Sequence, residues 1–170
     1  MITPAYIRTM AAYNTEMNRR LYEPAALLSD AARRADRGAF WGSLHGTLAH
    51  ILWSDCVWMS RFAGWLKPAG SMKESPLMIE DFDALRDARY GADARIESWS
   101  ATVDQAWLDQ THTWFSGVKQ REMTSPRVLL VTHFFNHQTH HRGQAHALLT
   151  AAGAKTEDTD LQYIVPEVVA

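Results

Sequence analysis

The stretch from His133 to Gln144 of this 170-residue chain carries four of its eight histidines, His133, His137, His140 and His141, within nine consecutive positions. A helix turning about 100° per residue sets His137 and His141 on one face, one turn apart, with Leu130, Phe134, Ala145 and Leu148. That pair faces the core. His133 and Gln144 fall at the edge of the same stripe, while His140 and His146 rotate toward the polar side. Two imidazoles four residues apart can converge on one ion, and neutral imidazole suits zinc, nickel, iron or copper. Two ligands alone hold a metal weakly, so a third must come from another element.

His137-Gln138-Thr139-His140-His141 also has the two-histidine spacing of a zinc-protease helix. Such a helix needs glutamate in the second position as general base, and Gln138 stands there, which argues against proteolysis.

Four long helical segments account for most of the chain. Thr3 caps the first and Pro4 takes its first position; Tyr6, Met10, Tyr13, Met17 and Leu21 follow at helical spacing until Pro24 interrupts it. A short helical piece with Leu27 and Leu28 comes next, and the charged stretch from Ser29 to Gly38 is a connection. The second segment is expected over residues 39–66, with Phe40, Leu44, Leu48, Ile51, Asp55, Trp58 and Phe62 as its apolar stripe. Asp55 is out of place on that stripe and requires a buried partner or a place behind a metal ligand. A loop from Lys67 to about Pro76 follows. The third segment spans about Ile79 to Asp109, with Leu85, Ala88, Ala92, Ile96, Trp99, Val103 and Trp107 on one side, charges on the others and Gly91 as a local weakness. Residues 111–124 predict an extended excursion or short hairpin around Trp114, Phe115 and Gly117. Ser125 is expected to cap the fourth helix, with Pro126 at its first position and Gly153 at its end. The apolar tail Leu161, Tyr163, Ile164 and Val165, before Pro166, is expected to pack on the helices or on a partner chain. The fold class that follows is all-α, a single four-helix bundle domain over 1–170 with an extended excursion before the last helix.

Composition bounds the function. One domain of this length buries a core without disulfides or a structural metal. With 17 basic and 19 acidic residues the formal charge is −2, and the small cluster Arg33, Arg34 and Arg37 is interspersed with Asp, so no nucleic-acid partner is expected. Cys56 is the single cysteine, which excludes a disulfide framework and a thiolate metal cluster. No run of apolar residues is long enough to span a membrane and no leader-like segment opens the chain, so no membrane partner and a cytoplasmic location are expected. Seven tryptophans suit an aromatic-walled pocket and a bulky core equally.

Periodicity leaves the third ligand open between His45 and His50, which flank the apolar stripe of the second helix on opposite sides. Leu48-Ala49-His50-Ile51 followed by Asp55, taken with Asn136-His137-Gln138-Thr139-His140-His141-Arg142-Gly143-Gln144, resembles the DinB-like family of metalloenzymes. Tyr13-Asn14 and Asn18-Arg19-Arg20-Leu21 look like that family's first-helix pattern. The resemblance implies a four-helix bundle of variant up-and-down topology, often a homodimer, with three histidines holding a divalent metal at one end. By position these ligands are His50, His137 and His141. Zinc or nickel is the first expectation for the ion, with iron and manganese compatible. His133, one turn before His137, is a candidate further ligand or a group behind the ligands.

Three imidazoles leave coordination positions for water or substrate. Gly143 is expected to let a neighbouring helix approach closely, and Gln144 to orient a ligand imidazole or a water. Arg142 is expected either to meet Asp55 across the bundle or to lie on the surface. Tyr13, Asp55 and Gln144 are candidates for handling protons. The resemblance implies a thiol-dependent transferase or isomerase, whose metal presents a low-molecular-weight thiol to a small-molecule electrophile. A hydrolase using metal-bound water, and a non-enzymatic stress or ligand-binding protein, are the alternatives.

Overall fold

Short polar side chains start most of the helices by accepting hydrogen bonds from otherwise unsatisfied backbone N–H groups. In the computed structural model, which describes residues 1–165, Thr3 accepts from Tyr6 N at the head of α1 (Pro4–Ala26), and Ser29 caps the short α2 (Asp30–Arg34). Ser43 caps α3 (Leu44–Phe62), Asp81 caps α4 (Phe82–Thr102) and Asp104 caps α5 (Gln105–Leu108). An antiparallel hairpin, β1 (Thr111–Ser116) and β2 (Arg121–Pro126), precedes α6 (Arg127–Ala151), and a short α7 (Leu161–Ile164) follows it. The expected Pro166 boundary of the tail lies outside the described residues.

The four long helices α1, α3, α4 and α6 pack in a closed ring, α1 on α4, α4 on α3, α3 on α6 and α6 on α1. Their apolar residues form two separate clusters. Leu21, Tyr22, Leu48, Leu52, Leu85 and Leu149 belong to the first; Ile7, Met59, Ile96, Phe134 and Phe135 belong to the second. Along the chain α1 and α6 run from the second cluster to the first, and α3 and α4 run the other way.

Between the clusters every long helix contributes polar side chains to one buried layer: Asn14 and Asn18, Asp55, Arg89 and Asp93, Gln138 and Arg142. Arg89 is 0% exposed and pairs with Asp55 at 2.6 Å and Asp93 at 2.8 Å. Asn14 and Asn18 donate to Asp93 at 3.1 and 2.9 Å, and Arg142 donates to Asn14 Oδ1 and to Thr139. Burial pushes the Asp93 carboxyl up to about 6 and the Arg142 guanidinium down to about 10. Two carboxylates balance two guanidiniums, which is what makes so dry a layer tolerable. Asp55 therefore finds its partner on α4, where Arg89 bonds its Oδ2, and the expected Arg142–Asp55 pair is replaced by Arg142 on Asn14. The alternative of a surface Arg142 also fails, because the side chain is buried.

Several predicted boundaries move. α1 continues past Pro24 to Ala26, Leu27 is its exposed end rather than a new helical piece, and the 29–38 connection contains α2. α3 is shorter than 39–66: Gly42 has φ +74°, Phe40 is 76% exposed, and Gly64 at φ +67° lies just beyond the helix end. The third segment breaks at Val103, whose extended backbone lets Asp104 start a separate turn. Ser125 and Pro126 belong to β2, where Pro126 pairs with Thr111, so the serine does not cap α6. The segment before α7 packs back on α1 through Tyr13, which donates to Thr159 O at 2.7 Å, and Arg20, while Tyr163 stays exposed.

Arg89→Met should lower unfolding free energy by about 3–5 kcal/mol, because it strands two buried carboxylates. The loss is measured as a shift of the urea midpoint; a shift below about 1 kcal/mol would mean that the layer is solvated.

Candidate metal centre

α3 and α6 pack against each other, and each turns histidines into their shared seam. His50 comes from the first half of α3; His137 and His141, one turn apart at mid-α6, straddle Gln138 of the polar layer. One ring nitrogen of each lies within 4.8 Å of the others. His50 Nε2 and His137 Nε2 are 3.4 Å apart. That is long for a hydrogen bond but matches the separation of about 3.3–3.4 Å between two ligands bound at about 2.0–2.1 Å on a tetrahedral ion.

Partners on the far side of two rings set which nitrogen is free. The Ser75 hydroxyl donates to Met72 O at 2.7 Å, so it accepts from His50 Nδ1–H at 2.8 Å. Gln144 Oε1 accepts from His141 Nδ1–H at 2.7 Å, and its amide nitrogen donates to His140 Nε2 at 3.2 Å. Both assignments leave Nε2 of His50 and His141 unprotonated and turned inward. His137 Nδ1 is buried without a partner among the described residues.

Burial, with the neighbouring imidazoles adding to it, pushes His50 and His137 down to about 3; burial likewise lowers His141. The three rings are thus neutral at physiological pH, the form in which imidazole ligates. The donor set is compatible with a divalent metal ion: three neutral nitrogens and no fourth His, Cys, Asp or Glu in the cluster among the described residues.

Aromatic rings wall the seam. Trp41 stacks on His50 with centroids 3.8 Å apart and Trp53 stacks at 6.3 Å. Trp41 reaches this position because residue 46 is glycine: a Cβ there would meet Trp41 O at 2.7 Å and Pro76 at 3.2 Å, so both the Trp41 loop and the turn holding Ser75 depend on its absence. Trp41, Trp53 and Ser75 are missed by sequence reasoning. Trp41 lies in a loop and Ser75 opens a 3-10 turn (Ser75–Leu77) too short for periodicity to carry a signal, and only the small Gly46 near Ser43 hints at a close approach.

The other candidates take different places. His45 is buried and bonded to Ile79 O at 2.8 Å, and of the two histidines that periodicity left open it is His50 that lies beside His137 and His141. His133 stands outside the cluster, its ring 5.9 Å from that of His137 and edge-on to Trp58 at 5.3 Å. Asp55 lies in the polar layer, where burial raises its carboxyl on balance while the Arg89 guanidinium works to hold it down. A methyl group added at Gly143 would meet nothing within 4 Å, so no helix approaches it closely; the neighbouring surface is an open groove with Tyr13 and Arg20. The centre also sits midway along α6 rather than at one end of the helices, since its ligands bracket the polar layer.

The DinB family model matches residues 1–167, and the chain belongs to that family. A crystal structure of a DinB-like protein from Bacillus cereus ATCC 10987 shares the fold with TM-score 0.64 and 20% identity, covering 86% of this chain and 90% of that one. No curated protein matches the sequence. Among the described residues no helix is long and apolar enough to cross a membrane.

His50→Ala, His137→Ala and His141→Ala should each reduce bound divalent metal, measured by plasma mass spectrometry, to background, while His45→Ala keeps it. In metal-free protein the folded state refuses protons that the unfolded histidines accept below about 6.5. Stability contributed by the neutral rings is therefore lost as pH falls from 6.5 toward about 3, where the folded rings finally titrate. Asp93, raised by burial, works in the opposite sense below about 6, so the test compares wild type with a His50→Gln, His137→Gln variant. The variant's urea midpoint should fall less steeply between pH 6.5 and 5; equal slopes would contradict the assignment.

Proposed function

We propose that this DinB family member is a metal-dependent enzyme acting on a small thiol, of the S-transferase or isomerase type, with the ion held by His50, His137 and His141. The observation that carries this reading is the convergence of three neutral imidazoles without a fourth ligand, the pattern of a site open to an exchangeable partner. A divalent ion held there would supply the Lewis acidity that keeps a thiol as its thiolate at neutral pH. Ser75 and Gln144 hold two of the rings with their donor nitrogens inward. Trp41 and Trp53 stack on the His50 ring and wall one side of the site.

Hydrolysis through bound water is the second reading, and one observation weighs against it. Many metal hydrolases place a free carboxylate or similar base beside the water, although the metal alone also lowers the pKa of that water. Asp55 is committed to Arg89, and no carboxylate joins the histidine cluster among the described residues. A non-enzymatic metal- or ligand-binding role would leave the open ligand set without use. In the same proposal the ring of α1, α4, α3 and α6 is a four-helix bundle of variant up-and-down topology, and the protein is a homodimer.

Cobalt-substituted protein titrated with cysteine or mercaptoethanol should develop a thiolate-to-cobalt absorption. The zinc or nickel form should conjugate the thiol to monochlorobimane, with His141→Ala losing both responses. An unchanged cobalt spectrum together with no conjugation over the uncatalysed rate would overturn the thiol reading.

A further inference from the structure

Arg61, near the C-terminal end of α3, makes no hydrogen bond and no ion pair among the described residues, although its side chain is half-buried. The other half-buried arginines are matched: Arg19 to Glu16 and Glu23, Arg20 to Glu16 and Glu157, Arg33 to the carbonyls of Ala25 and Leu28, Arg86 to Asp83 and Asp87, and Arg127 to Trp107 O and Gln110. Helical side chains lean toward the N-terminus, which lays this guanidinium over Trp58, three residues back, at 4.4 Å from the ring centroid. Trp114, on the inward face of the hairpin, lies beside it at 5.4 Å, and the two indoles meet edge-to-face with centroids 6.1 Å apart. Two indoles recover part of the cost of desolvating the cation, and its N–H groups face water rather than an acceptor among the described residues.

The same aromatic wall leads to the metal centre. Trp58 meets His133 edge-on at 5.3 Å, and His133 stands 5.9 Å from the ligand His137. Along α3 the eleven residues from His50 to Arg61 rise about 16 Å, and the backward lean of the side chain shortens this to about 10–12 Å. A continuous wall of rings thus joins a site for a soft, metal-bound atom to an unmatched single positive charge. The planar guanidinium fork fits a carboxylate through two parallel hydrogen bonds. Arg127, the other cation against this part of the hairpin, has donors taken up by Trp107 O and Gln110, so of these two, among the described residues, Arg61 is the one whose fork is left to receive a carboxylate.

We propose that Arg61 recognises a terminal carboxylate on the molecule whose other end sits at the His50, His137 and His141 centre, so that the substrate is an elongated carboxylate. The inference rests on the proposed metal centre for the position of that other end. It makes Arg61 a specificity residue, with no part in holding the ion.

A set of ω-mercaptocarboxylates serves as a ruler: mercaptohexanoate, mercaptooctanoate and mercaptoundecanoate, each beside the matching mercaptoalcohol. Cobalt-substituted wild type, Arg61→Gln and Arg61→Lys are titrated and followed by cobalt absorption and by tryptophan fluorescence. In wild type the acid should bind about tenfold more tightly than its alcohol once the chain is long enough to span the wall, with little preference for the shortest pair. Arg61→Gln should abolish the preference while leaving cobalt content and alcohol binding unchanged, and Arg61→Lys should keep part of it, having charge without the fork. A preference that is absent at every length, or that survives in Arg61→Gln, overturns the proposal. If no thiol of either kind alters the cobalt spectrum, the thiol reading of the centre fails on its own. The acid-over-alcohol preference in the fluorescence arm then still decides Arg61.

Discussion

The 3.4 Å approach of His50 Nε2 to His137 Nε2 across the α3–α6 seam is the contact the rest of the structure must sustain. Ser75 takes the Nδ1 proton of His50 and so turns a lone pair toward His137. Two imidazole nitrogens so placed repel unless a proton or a cation lies between them. Burial disfavours a second proton on either ring, which leaves either the single Nε2–H of a neutral His137 or a cation to lie between them. A shared cation resolves the conflict, and it gives the third inward nitrogen, on His141, the same purpose.

Holding that distance requires that the two helices neither slide nor rotate. The buried polar layer supplies this restraint at the same level of the molecule. Asp55 lies on α3 little more than one turn from His50, and Gln138 lies on α6 between the two ligands. Arg89 joins Asp55 to Asp93, and Asp93 is held by Asn14 and Asn18, so α3, α4 and α1 share one network, which Arg142 extends to α6. A layer of this kind has directional demands that two apolar clusters alone do not make, and it fixes the register in which the helices meet.

The helix positions and the His137–His141 pair were legible in the sequence because an amphipathic period and a four-residue spacing are local properties. Asp55 was legible as an anomaly, a charge on an apolar stripe, but its partner was not. Arg89 sits on α4 among many other charges, and nothing local separates a buried arginine from a solvated one. The choice of His50 over His45 came only from resemblance to a family, since both lie at similar angles from the stripe; the structure separates them by giving His45 the Ile79 carbonyl. Trp41 was illegible for a different reason. Its position depends on what a missing Cβ at Gly46 permits in three dimensions. The break at Val103 and the short start of α3 show the same limit, for caps and extended residues end helices where the apolar pattern continues.

Whether the three imidazoles share one cation with an exchangeable position is decided by X-ray absorption at the metal edge, on protein loaded with one equivalent of zinc and then given excess mercaptoethanol. The expected spectrum has three imidazole nitrogens at about 2.0–2.1 Å and one light exchangeable neighbour, replaced on thiol addition by one sulfur at about 2.3 Å. Fewer than three imidazoles, or a set of ligands unchanged by the thiol, would contradict it.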